Sequence, residues 1–302
     1  MRNLLSVILT VTVVFNAFSQ DLTAILEQEA ADTTFLVAGS FNGTRLLNGH
    51  SVETRKEGVL EFLISHRFGR VNSGIDQFFG LDDSNIRFGL EYALNDQLTL
   101  AIGRSSFEKT YDAYAKYRLL QQKTGANPFP IGVTIFGSAT AKTIKDYLPG
   151  QKPSFSDRLT YTGQLLIARK FNQSLSVQFA PTLVHFNTAP ESIDPNDIIS
   201  LGLGARVKIS KRVSVNGEYY YNINPFKSQD VNNSIAFGVD IETGGHIFQL
   251  ILTNSVSMIE KGFLAETAGD FLKGDIHFGF NISRAFQIKK KNSPSVSKYG
   301  DD

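Results

Sequence analysis

No cysteine occurs in the 302 residues. That excludes disulfides, thiolate metal sites, a cysteine nucleophile and a lipid-modified N-terminal cysteine, so the fold must be held by its own hydrogen-bonded ladders. Net charge is nearly absent too. Thirty basic and 29 acidic residues leave a formal +1, and no basic stripe interleaved with aromatics is present, which argues against a nucleic-acid partner. A long apolar run is also missing: the longest, residues 4–15, falls short of the roughly twenty that a spanning helix needs, so any membrane crossing must be made by strands.

The flanks of that run say what it is. Met1-Arg2-Asn3 is a positive n-region, residues 4–15 an apolar h-region, and Ala17-Phe18-Ser19 a small-x-small pattern before Gln20. Residues 1–19 therefore read as a cleaved secretory signal peptide rather than an anchor.

Glycine and aromatics are plentiful, 25 Gly, 24 Phe and 10 Tyr, which leans toward an all-β fold. Residues 20–56 form a pre-barrel segment: Leu22, Ile25 and Leu26 have helix-like spacing, and residues 33–53 are strand-like with a turn signal at Asn48-Gly49. From Gly58 onward the pattern has period two. Ile86, Phe88, Leu90, Tyr92 and Leu94 alternate with Arg87, Gly89, Glu91 and Ala93, and Leu201, Leu203, Ala205, Val207 and Ile209 alternate with Gly202, Gly204, Arg206 and Lys208.

Twelve strands of this kind are predicted, at residues 57–68, 84–94, 97–106, 110–120, 131–143, 157–169, 174–185, 198–209, 213–222, 233–242, 245–255 and 275–286. Short turns at Asn95-Asp96, Phe171-Asn172-Gln173, Ser210-Lys211-Arg212 and Thr243-Gly244-Gly245 follow even-numbered strands; long connections follow odd-numbered ones. An even count leaves both barrel ends on the short-turn side, as in outer-membrane barrels. Placing Ile209 opposite Val213 brings Arg206 to Asn216, and placing Ile241 opposite Phe248 brings Asp240 to Gln249, so polar faces meet polar faces.

Alternation alone also fits a soluble sandwich. Strand length, loop asymmetry and the export signal favour a closed antiparallel transmembrane β-barrel over residues 57–286. The polar face would then line a lumen with Arg87, Glu91, Asp112, Lys116, Arg118, Arg206, Lys208, Glu218, Asp240 and Glu242. Tyr92, Phe171, Tyr219, Tyr221, Phe248 and Phe286, near strand ends, are candidates for interfacial girdles. The last strand ends at Phe286 like a terminal signal for barrel-assembly machinery, and residues 287–302, with Lys289-Lys290-Lys291 and Pro294, read as a disordered periplasmic tail.

Four strings carry a resemblance: Thr44-Arg45-Leu46-Leu47-Asn48-Gly49-His50-Ser51-Val52-Glu53-Thr54, Leu63-Ile64-Ser65-His66-Arg67-Phe68-Gly69, Gly103-Arg104-Ser105-Ser106-Phe107-Glu108-Lys109-Thr110-Tyr111-Asp112 and Asp240-Ile241-Glu242-Thr243-Gly244-Gly245-His246. From about Phe41 to Phe286 the chain resembles an uncharacterised family of outer-membrane β-barrel proteins, a domain of unknown function. The resemblance implies architecture and an outer-membrane location. It brings no activity, substrate or catalytic residue.

No catalytic, cofactor or metal site emerges. His66 follows Ser65 on a strand, so the two point to opposite faces and cannot act as base and nucleophile. His185 and His246 have outward parity, while His50 and His277 read as structural. Glu191, Asp194 and Asp197 lack the spacing of a calcium loop. Gly202 and Gly204 relieve crowding in the lumen rather than form a phosphate turn. Arg67, Arg104, Lys109 and Asp112 are placed toward the long loops, as a charged vestibule or as loop-anchoring ion pairs.

The first functional expectation is a narrow passive or solute-selective channel. The alternative is a non-conducting barrel that docks a partner, its lumen filled by side chains or by residues 21–53, and an outer-membrane hydrolase comes third. The expected partners are the lipid bilayer and, during biogenesis, the assembly machinery. N-terminal sequencing of the exported protein is expected to begin at Gln20; a start at Met1 would contradict the signal-peptide reading.

Overall fold

The computed structural model describes residues 33–37, 39–145 and 153–289. The expected signal peptide, the expected helix at residues 21–31 and the expected tail beyond Lys289 lie outside the described residues.

Twelve strands close into an antiparallel barrel. In chain order they are β2 (Val59–Arg70), β3 (Ser84–Ala93), β4 (Leu98–Ser105), β5 (Thr110–Leu120), β7 (Gly132–Lys142), β8 (Leu159–Lys170), β9 (Leu175–Phe186), β10 (Asp197–Lys208), β11 (Val213–Asn222), β12 (Ser234–Thr243), β13 (His246–Thr253) and β14 (His277–Gln287), with β14 closing on β2. Two short strands, β1 (Thr34–Leu36) and β6 (Lys123–Gly125), pair in a separate compact unit.

The ladder keeps the expected register. Arg206 faces Asn216, Ile209 N–H donates to the Val213 carbonyl, Asp240 faces Gln249 and Ile241 faces Phe248. Gly244 and Gly245 both take positive φ, 41° and 102°, as the two-residue hairpin between β12 and β13 requires to match strand twist. One connection breaks the short-turn rule: Gln121–Ile131, between β5 and β7, is long enough to carry β6.

Outward side chains are apolar and exposed, among them Leu90, Ile102, Leu165, Leu183, Leu203, Phe237 and Leu250. A surface of this kind is stable only against lipid. Tyr92, Phe171, Phe248 and Phe286 lie outward at the short-turn end, and Tyr219, Tyr221, Tyr111 and Tyr161 outward toward the long loops, so aromatics flank the apolar band. No helix among the described residues is long and apolar enough to cross a membrane; the crossing is made by the strands.

Two expectations are corrected. Residues 33–53 are not one strand: only Thr34–Leu36 is extended in a sheet, and from Gly39 the chain turns into the barrel. Gln287, assigned to the tail, still pairs with Val59, and Ile288 N–H donates to the Gly58 carbonyl.

Leu250→Arg, near the middle of the lipid face of β13, is expected to cost about 2–4 kcal/mol. Denaturant unfolding from phosphatidylcholine vesicles measures it, and no loss there would contradict the lipid-facing assignment.

Candidate functional site

Inside the barrel lie residues 41–52 of the chain itself. Phe41, Val52 and nearly every residue between them are buried. The segment folds as a tight reversal about Leu47-Asn48: Ser51 N–H donates to the Thr44 carbonyl (3.0 Å), Leu46 N–H to the Gly49 carbonyl (2.8 Å), and the Arg45 backbone forms a β-bridge with His50. Too short to form a ladder of its own, it leaves most of its peptide groups for the wall to satisfy.

The wall does so with side chains. The Lys116 ammonium donates to the carbonyls of Thr44 (3.2 Å), Ser51 (2.8 Å) and Glu53 (2.6 Å), using all three of its protons. Gln249 donates to Leu46 O, Asn281 to Leu47 O, Gln178 to His50 O and Thr134 to Val52 O, at 2.7–2.9 Å. The Glu218 carboxylate accepts from the Asn48 and Gly49 N–H groups, while Arg67 donates to the Asn48 side chain. Space is fitted as closely. A Cβ on Gly204 would lie 2.2 Å from Leu46, and one on Gly238 would lie 2.5 Å from Leu47.

A second element enters from the long-loop end. Helix α1 (Glu260–Ala265), in the connection between β13 and β14, is buried along its whole length. Phe263 and Leu264 join Tyr114, Phe136, Leu166, Val184, Phe186, Ile198 and Tyr220 in an apolar cluster on the inner wall. The two elements meet at Glu260, whose Oε1 lies 3.0 Å from Arg45 and 3.2 Å from His50 Nε2. Burial pushes the Glu260 carboxyl up, but Arg45 together with the hydrogen bonds the carboxylate accepts outweighs this and holds it at about 2. Burial, reinforced by Arg45, keeps the His50 imidazole neutral, well below its ordinary value. Lys261 bonds Glu108 (2.9 Å) and Glu266 (2.8 Å).

The predicted lumen residues fall into three groups. Arg87 and Asp112 pair with each other, and Glu91 accepts from Tyr114, all buried in the wall. Lys116, Arg118, Arg206, Glu218 and Asp240 bond residues 39–54: Arg118 donates to Thr54 O, Arg206 to Asn42 and Gly39, and Asp240 accepts from Asn42. Lys208 and Glu242 stand at the short-turn rim, Glu242 exposed. Arg67, Arg104 and Asp112 do not come together in one vestibule. Arg67 is buried against Asn48 and Asn281, Asp112 against Arg87, and Arg104 points outward over Tyr111.

Sequence reasoning missed Glu61, Gln178, Gln249 and Asn281 as contacts of the segment, and left α1 inside the long connection between the strands at 245–255 and 275–286. Inward parity marks the first four; nothing in residues 258–274 marks α1 as buried. Asp194 clasps Lys227 and Ser228 of the neighbouring loop, and no cluster able to hold a metal occurs among the described residues. Beside Gly43, Thr44 and Leu63 a void of only about 10 Å³ is left; an open cleft of about 490 Å³ lies at the long-loop end between Phe107, Glu108, Lys142 and Glu266.

Residues 41–286 match the family described as "Membrane bound beta barrel domain (DUF5777)". Comparison with curated proteins found no match. Among solved structures the chain is similar to the NanC porin (7% identity, 75% of this chain and 98% of that one, TM-score 0.47). It is also similar to the KdgM porin (8%, 76% and 99%, 0.44) and to an outer membrane channel from Pseudomonas putida F1 (15%, 78% and 98%, 0.45).

Glu260→Gln is expected to leave Arg45 buried without its anion, at a cost of about 3–5 kcal/mol. Faster proteolysis within residues 39–56 of the folded barrel would report it, and unchanged protection would contradict the assignment. Because the Glu260 carboxyl is held below its ordinary 4.5, the clasp is complete above that value and is lost as pH falls toward about 2. Proteolysis with an acid-active protease is expected to show that window in the natural chain and not in Glu260→Gln.

Proposed function

The chain belongs to the membrane bound beta barrel domain family, and on that premise we propose that it is an outer-membrane barrel whose polar bore is closed by its own residues 39–56. The observation that carries this reading is the peptide of residues 41–52, buried in the bore and bonded by Lys116, Gln178, Glu218, Gln249 and Asn281. A wall that bonds a peptide this way also suits water. Once the segment is withdrawn, the charged and amide side chains that held it line a passage for small polar solutes. The barrel ladder closes without the segment, since every strand is paired on both edges by another strand.

A second reading is a barrel that never conducts. It is favoured by α1, which packs Phe263 and Leu264 onto inner-wall apolar residues and so seals the bore near the long loops independently of residues 39–56.

In either reading the short-turn end faces the periplasm and the long loops face outside. A tag between residues 187 and 196 is then expected to be reached by antibody on intact cells, and one after Lys291 to be reached only after permeabilisation.

Planar-bilayer conductance of the refolded protein, with and without residues 20–56, separates the readings. Current only after truncation supports the plugged channel. Silence in both forms supports the non-conducting barrel, and steady current from the intact chain would sink the plug.

A further inference from the structure

The connection between β2 and β3 exposes an apolar group with no covering partner: Val71, Ile75, Phe78, Phe79 and Leu81, with Ile75 at 76% and Phe78 at 59% exposure. Phe78 and Phe79 also hold φ of 44° and 54°, the left-handed region that side chains with a Cβ avoid. The conformation is built in. Phe79 N–H donates to the Gly74 carbonyl, Leu81 N–H to the Phe78 carbonyl, and Gly80 packs so closely on Gly69 that a Cβ would come within 2.5 Å of backbone. These contacts hold the two strained residues with their rings more than half exposed, at 59% and 51%. Strain that the loop enforces at two rings it leaves exposed points to a partner outside the molecule.

Continuity identifies the partner. Below this loop the lipid face of β2 and β14 carries a column of stacked rings, Phe68 on Phe278 (5.8 Å) and His66 on Phe280 (5.0 Å). In the neighbouring connection between β13 and β14, Phe271 packs edge-on against Phe237, itself a lipid-facing residue of β12, at 5.8 Å, and Leu272 beside it is 93% exposed. Asn72 ties the two loops together through Asp275 (2.8 Å). Apolar side chains thus continue from the lipid face of the strands into both loops.

We propose that these two loops form a flange that inserts Ile75, Phe78, Phe79 and Leu272 among the acyl chains of the adjoining leaflet, extending the lipid contact beyond the strand ends on the β12–β14–β2 side. The proposal rests on the barrel spanning a bilayer and is independent of whether residues 39–56 close the bore. Burial of the two rings in lipid then offsets the backbone strain that water leaves uncompensated.

The chain has no tryptophan, so one introduced indole is the sole such reporter. Phe78→Trp, Phe79→Trp and Leu272→Trp are placed singly in the full mature chain and reconstituted in phosphatidylcholine vesicles, with Leu250→Trp as the lipid-facing reference. The flange predicts blue-shifted emission, quenching by brominated acyl chains comparable to the reference, and protection from aqueous iodide. Iodide quenching without bromine quenching would overturn it and leave a solvent-facing patch. Protection from both quenchers would also overturn it, in favour of a protein partner or a second copy. If Phe78→Trp and Phe79→Trp do not assemble, Leu272→Trp tests the same flange from the other loop.

Discussion

A peptide group in hydrocarbon has nothing to bond except another peptide group, and the rest of this structure depends on that constraint. It forces the strands to close, β14 on β2, with no free edge. It also sets the alternation, because each strand must give one face to lipid and keep the other for the interior. Outward Leu90, Leu203 and Leu250 and inward Arg87, Gly204 and Gln249 are the two faces of one pleat.

Closing the barrel moves the same demand inside. A bore lined by Lys116, Glu218, Asp240 and Arg67 must hold water or groups that replace it. The segment around Asn48-Gly49 is such a replacement: its carbonyls take the protons of Lys116, Gln178, Gln249 and Asn281, and its amides take the Glu218 carboxylate. Each side satisfies the other, so an unrelated peptide of equal length would leave charges and carbonyls unpaired. The arrangement is specific.

Glu260 gives the interior a second constraint. It lies where α1 meets the segment, and its contacts with Arg45 and His50 join pieces of chain that are distant in sequence. Lys261, the next residue, carries the connection on to Glu108 and Glu266. Charges this deeply buried are stable only in company, which ties the order of the mouth to the order of the bore.

The period-two pattern, the turn at Gly244-Gly245 and the register of Asp240 against Gln249 were all legible in the sequence, because strand geometry is local and a slip of one residue would turn every side chain to the wrong face. By itself, then, the sequence determined the twelve barrel strands and the alternation of their two faces. It did not reveal that Leu166, Val184 and Ile198 point inward to meet Phe263, that Arg67 turns to Asn48 instead of joining Asp112, or that residues 41–52 occupy the bore. Only the tertiary structure decided these. The occupant of a lumen is selected by matching donors, acceptors and volume across many strands at once, and no window of sequence contains that match.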